Sequence, residues 1–169
     1  MILTKPELIQ SLQGEIRLLL HLISKVDPAQ IDYRPTPKQR STIELLQYLS
    51  IFGPIHLNAI LADTFDMDSW RSAWSTGATS AKQLNLGQAH AAIASLSALY
   101  TQLLEPCSDA RLSEAFEMFG QKSTRAALII NLLLCHHSAY RMQLFLYLKS
   151  SGREELNTMN LWVGVDGKM

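Results

Sequence analysis

Positive charge is nowhere concentrated in this chain. Fifteen Lys and Arg are balanced by fifteen Asp and Glu over 169 residues, and no stretch gathers the basic ones into a patch. Neutralising a phosphate backbone needs such a patch, so nucleic acid is excluded as a partner. Apolar runs are short as well. The longest, Ala126 to Cys135, is interrupted by Asn131 and falls well below the roughly 20 residues that span a bilayer, so no membrane partner is expected. Cysteine is scarce: Cys107 and Cys135 show no metal or redox spacing. The N-terminus lacks the charged start, apolar stretch and small-residue cleavage site of a signal peptide. Together these point to a cytoplasmic protein with free thiols. There is no Gly-rich phosphate loop, no Gly-x-Ser-x-Gly elbow, no His-Glu-x-x-His and no pair of Glu-x-x-His motifs, which removes the usual nucleotide, hydrolase, zincin and di-iron chemistries. Asp66 and Asp68 lack the glycine and terminal glutamate of a calcium loop.

What remains is a globular composition, 47% hydrophobic and 18% charged, of a length that suits one domain with its own core. Four long helical patterns stand out and no strand does. The first opens with the capping box Thr4-x-x-Glu7 and carries Ile9, Leu12, Ile16, Leu19, Ile23 and Val26 at steps of three and four before Asp27-Pro28 ends it. After the stiff segment Asp32 to Pro37, a second box, Ser41-x-x-Glu44, opens a helix to about Ala62 that must absorb Pro54, with a kink expected near Gly53-Pro54. A longer connection, 63–84, holds the start of a short helix at Asp66. The third helix opens at Asn85 and places Ala89, Ile93, Leu96, Tyr100 and Leu103 on one stripe. The mixed connection Ser108 to Lys122 follows. Ser123 caps a fourth helix that runs to about Ser151 and stops at Gly152. Residues 153–169 form a C-terminal tail that packs back or reaches a partner. The expectation is an all-α, four-helix bundle with long crossover connections, residues 1–169 forming a single domain. The fourth helix is apolar nearly all round between Ala126 and Cys135, so it is central or covered by a second copy, and a homodimer is expected.

The late helix also carries the residues with most chemical interest. His136 and Tyr140 are four apart, one turn of helix, and Arg141 follows. His137 is turned about 100° from His136, so the adjacent pair does not converge on one site. His56 lies in the second helix, nearer Leu128 than His136 if the two helices run antiparallel. Arg141 in an apolar helix needs a partner. The choices are an ion pair or carbonyl contact that ties the helix to a loop, with Glu44, Asp32 or Asp166 as carboxylates, and a bound anion.

Four features in this order resemble the DinB-like superfamily of bacterial four-helix bundles. They are Arg34-Pro-Thr-Pro-x-x-Arg40-Ser41, then Glu44-Leu45-Leu46-x-Tyr48-Leu49, then His136-x-x-x-Tyr140-Arg141-x-Gln143-Leu144, and finally Tyr147-Leu148-x-x-x-Gly152. The resemblance implies a metal held by three histidines, one in the second helix and two in the fourth, and a thiol-dependent transferase or hydrolase activity. Position by position those ligands fall on Tyr48, His136 and Tyr140, so one histidine is left. Imidazole suits zinc or nickel, whereas a neutral phenol is a poor ligand that ionises near pH 10. The expectation is a vestigial metal site: Tyr48, His136 and Tyr140 meet as a polar cluster inside the bundle, with no cofactor. A divalent metal, or ferric iron on two phenolates, is the alternative. The functional expectation is a bundle that binds a small molecule or partner at this pocket. Two others stand beside it: a metal-dependent transferase or hydrolase with altered ligands, and a structural dimer. Tyr33, Trp70, Trp74 and Trp162 are candidates for the pocket mouth or a dimer surface.

Overall fold

The computed structural model describes residues 3–167. Four helices form the bundle: α1 (Lys5–Ile23), α2 (Thr42–Leu61), α4 (Leu86–Leu104) and α7 (Cys135–Ser150), with α3 (Met67–Ala81) on the outer side of α2. Helix α1 packs on α4 and α7, and α2 packs on the same two, so α1 and α2 stand at opposite corners. The chain therefore crosses the bundle twice, once between α1 and α2 and once between α4 and α7. Leucine and isoleucine at helical spacing fill the centre: Leu12, Ile16 and Leu19 from α1, Leu45, Leu49 and Phe52 from α2, and Ile93 and Tyr100 from α4 are all fully buried. Burying each such side chain is worth about 1.5–3 kcal/mol.

Local sequence sets the helix starts. Thr4 with Glu7 and Ser41 with Glu44 form complete capping boxes, and Asn85 with Gln88 forms a third. Helix α2 runs unbroken through Pro54. Its C-terminal carbonyls are taken by arginines from a distant segment. The Arg125 guanidinium donates to Ile60 O and, at 2.8 Å, to Ala62 O, while Arg111 donates to Leu61 O at 3.2 Å. These are the orphan acceptors that every helix end leaves behind. Arg125 is itself buried and lies over the Phe116 ring.

Three elements depart from the sequence expectation. The helix at Asp66 is not short: α3 spans fifteen residues and holds Trp70 and Trp74 against α2. The connection before the last helix contains α5 (Asp109–Ser113) and an antiparallel hairpin, β1 (Ala115–Met118) with β2 (Gln121–Thr124). Its two-residue turn, Phe119-Gly120, has φ of 53° and 74°, the left-handed pair that matches strand twist. The last helix is capped by Thr124, not Ser123. It runs as α6 (Arg125–Ile129), a π-helical turn (Ile130–Leu134) and then α7.

The apolar stretch behind the homodimer expectation is covered within one chain. Leu128, Ile129 and Leu133 are buried, and Ile130, Leu132 and Leu134 are partly so. Leu146 on α7 is a large exposed hydrophobic residue outside this stretch. The tail packs back on the body. Leu161 and Asn160 are buried, Arg17 donates to Val163 O at 2.9 Å, and Lys25 pairs with Asp166 at 2.6 Å. Among the described residues no helix is long and apolar enough to cross a membrane.

Candidate functional site

Helix α2 places Tyr48, Phe52 and His56 at successive four-residue steps, and the three rings stack into a ladder. Tyr48 lies parallel to Phe52 at 5.6 Å between centroids, and His56 stands edge-on to Phe52 at 5.9 Å. Helix α3 brings Trp70 and Trp74 against this ladder: Trp74 meets Tyr48 at 5.6 Å, and both tryptophans meet His56 at 5.8 Å. On the other side α7 contributes His136 and Tyr140. The Tyr48 and Tyr140 rings are 5.0 Å apart, Tyr140 and His136 are 6.0 Å apart, and His136 lies 5.6 Å from Phe52. Tyr140 is therefore the bridge that brings Tyr48 and His136 into one cluster. All three side chains are half-buried.

The environment disfavours charge on Tyr48 and His56. Burial pushes the Tyr48 phenol well above its ordinary range, and the adjoining Tyr140 hydroxyl pushes it further; only the nearby Arg40 pulls the other way. His56 is lowered, first by burial and then by the neighbouring His136, against the hydrogen bond from its Nδ1 to Phe52 O at 2.7 Å. His136 Nδ1 faces Asn131 O at 3.3 Å. His56 and His136 both pack against the Phe52 ring. The donor set is one imidazole and two phenols, one of them held firmly neutral. Among the described residues no group of three His, Cys, Asp or Glu could hold a metal ion. This set does not fit the three-imidazole chemistry that the sequence resemblance implies.

The fully buried histidine is His137, which sequence reasoning set aside. The π turn at Ile130–Leu134 holds one extra residue, which turns the following face by about 100°. Inward positions then continue at four-residue steps through Ile129, Leu133, His137 and Arg141. His137 Nε2 lies 2.6 Å from the Tyr100 hydroxyl, and Nδ1 has no partner among the described residues. Burial, with a smaller contribution from His136, pushes His137 down to about 3, so the ring is neutral at physiological pH. Gly53 makes this pair feasible, since a Cβ there would overlap the Tyr100 hydroxyl. Phe52 separates His137 from His136, at 4.8 Å and 5.6 Å from the two rings.

Arg141 does not face this cleft. It is buried beside α1, where Nε donates to Glu15 at 2.9 Å, Nη1 donates to Leu161 O in the tail, and the guanidinium lies 4.8 Å from the Trp162 centroid. None of the three carboxylates considered from sequence is its partner. Glu44 pairs with Arg34 and Asp166 with Lys25. The geometry is that of a structural ion pair which also anchors the tail.

The cluster opens to solvent on the Tyr48 side. A cavity of about 670 Å³ lies between the Asp32–Ser41 segment, α2 and α3, with Tyr48, Ile51 and Trp74 in its wall. The β-hairpin closes the other end of the aromatic array, where Phe119 meets Trp70 edge-on at 5.0 Å.

Comparison with protein-family models and with curated proteins finds no match. Among solved structures the chain is similar to a DinB-like protein from Bacillus subtilis. The TM-score is 0.67 at 18% identity, over 89% of this chain and 95% of that one. At that identity the likeness speaks for the fold, which is all-α and DinB-like.

Proposed function

We propose that this DinB-like bundle binds a small molecule in the cleft bounded by α2, α3 and the tyrosine cluster, and that it does so without a metal at Tyr48, His136 and Tyr140. The observation that carries this reading is the cavity itself. Its volume of about 670 Å³ lies in the range of small-molecule sites, and its inner wall is Tyr48, the position that matches a metal ligand in the sequence pattern. The neutral Tyr48 phenol and the Trp74 indole in its wall supply hydrogen bonding and apolar surface, which suits binding and orientation better than Lewis-acid chemistry. Free Cys107 and Cys135 suit the cytoplasm, where we place it.

Two measurements test the proposal. Elemental analysis of untagged protein is expected to find no stoichiometric metal. Zinc, nickel or iron at one per chain that disappears in His136→Ala would favour the altered-ligand enzyme instead. Screening a set of small metabolites by thermal shift is expected to yield stabilising compounds whose effect is lost in Trp74→Ala. A screen without such compounds would remove the binding reading.

A further inference from the structure

We infer that the ligand of this cleft is a small organic anion with a flat apolar body, its acid group held by Arg40 and Lys82 and its body lying on Ile51 and Trp74. The inference rests on the binding reading given above and adds the chemistry of the ligand to it.

The charges around the cavity are unequal. Arg34, Lys38, Arg40 and Lys82 line it, against Asp32 and Glu44. One acid is already engaged. Glu44 accepts from the Ser41 amide at 2.8 Å as half of a capping box and pairs with Arg34 at 3.3 Å, and Arg34 also donates to Gln39 O at 3.2 Å. Lys38, Arg40 and Lys82 make no ion pair among the described residues. Three cations face one concave space with Asp32 as the only acid left, and a cleft of one sign concentrates an anion.

Arg40 is the better placed of the cations. Its guanidinium carbon lies 4.1 Å from the centroid of the Tyr48 ring, within the range of cation–π attraction. Its backbone is pinned, since the Tyr147 hydroxyl donates to Arg40 O at 3.0 Å. A pre-placed guanidinium binds a carboxylate, sulfonate or phosphate through two parallel hydrogen bonds at small entropic cost. Lys82 comes from the opposite wall, just after α3, where its carbonyl accepts from Gln47 at 3.3 Å. A bare inorganic anion would satisfy these cations but leave Ile51 and Trp74 wet. An anion carrying a planar ring uses both halves of the cavity.

The test compares two fluorescent probes with the same ring system, anionic 1-anilinonaphthalene-8-sulfonate and neutral N-phenyl-1-naphthylamine, on the full chain. The wild type is expected to prefer the sulfonate by about tenfold, the value of one charge-assisted contact. In Arg40→Gln/Lys82→Gln that preference should vanish while the neutral probe binds as before, with an unchanged thermal midpoint. Trp74→Ala should weaken both probes. Equal binding of the two probes in wild type, unaltered by the double charge substitution, would overturn the anion while leaving the cleft as a binding site. Probe binding indifferent to Trp74→Ala would overturn the cleft itself. Inorganic phosphate is expected to displace the sulfonate only at millimolar concentration; displacement at micromolar concentration would refute the flat-body half of the inference.

Discussion

Gly53 and Tyr100 offer a sharp test of how the bundle centre is built. A methyl group at Gly53 would overlap the Tyr100 hydroxyl and approach its Cζ to 3.1 Å, and the whole contact is dry. Alanine in place of glycine within a helix gains about 0.5–1 kcal/mol from backbone entropy, while overfilling a packed core costs about 1–3 kcal/mol. Gly53→Ala should therefore destabilise by about 1–2 kcal/mol. Among the described residues, Tyr100→Phe removes the one partner of His137 Nε2, and Nδ1 already has none, so a buried unsatisfied imidazole costs about 1–3 kcal/mol. In the double variant the atom that clashes is gone. Gly53→Ala should then add little to the cost of Tyr100→Phe, and a favourable coupling of about 1–2 kcal/mol is expected. Urea unfolding of the four proteins at fixed pH measures it, with the midpoint read at constant slope. Costs that add to within about 0.5 kcal/mol would show that α2 and α4 do not meet at this point, and the account of His137 burial would fall with it.

Three further outcomes can be checked. Because burial holds His137 down to about 3 against roughly 6.5 in an unfolded chain, the unfolded state takes up the proton first as pH falls. Stability is thus fully present above about pH 6.5 and lost below it at about 1.4 kcal/mol per unit. The lowered His56 acts in the same direction, and His137→Gln should flatten the slope in a pH series of urea midpoints. Arg141→Met strands Glu15, whose side chain is only 16% exposed, together with the Leu161 carbonyl. A loss of about 3 kcal/mol and faster proteolysis of the tail after Gly152 are expected, and an unchanged digestion rate would detach the tail from Arg141. Arg125→Leu should cost about 2 kcal/mol, since the Ile60 carbonyl loses its donor and Ala62 O keeps only the longer bond from Arg111 at 3.2 Å; a change in thermal midpoint below 1 °C would count against its closing role.

The helices were legible because their signals are local. Capping boxes at Thr4, Ser41 and Asn85 sit within four residues of the structure they cause, and apolar spacing reports the buried face directly. The hairpin was missed because strands of four residues show too little alternation to read, although Phe119-Gly120 is a turn dipeptide. The π turn leaves no mark in composition: Ile130 to Leu134 is as apolar as the α-helix around it. Without it the phase of the following residues cannot be carried forward, and so His137 went unassigned. A stripe extended from Ile129 and Leu133 at steps of four would have reached it. Arg141 found Glu15, 126 positions away, and no window along the chain connects those two. The proximity of Tyr48 and Tyr140 was reached through the resemblance, while the packing of His56 and His136 on the one Phe52 ring had to come from coordinates.

Phe52 has a consequence for how adjacent histidines can differ so completely. His136 and His137 are neighbours in sequence, yet one is half-buried beside Tyr140 and the other is fully buried against Tyr100. One benzene ring, that of Phe52, packs against both. Trimming that ring to alanine would do more than leave a void: it would open the buried His137 imidazole to the side on which His136 stands. In this bundle the boundary between interior and site is one side chain thick.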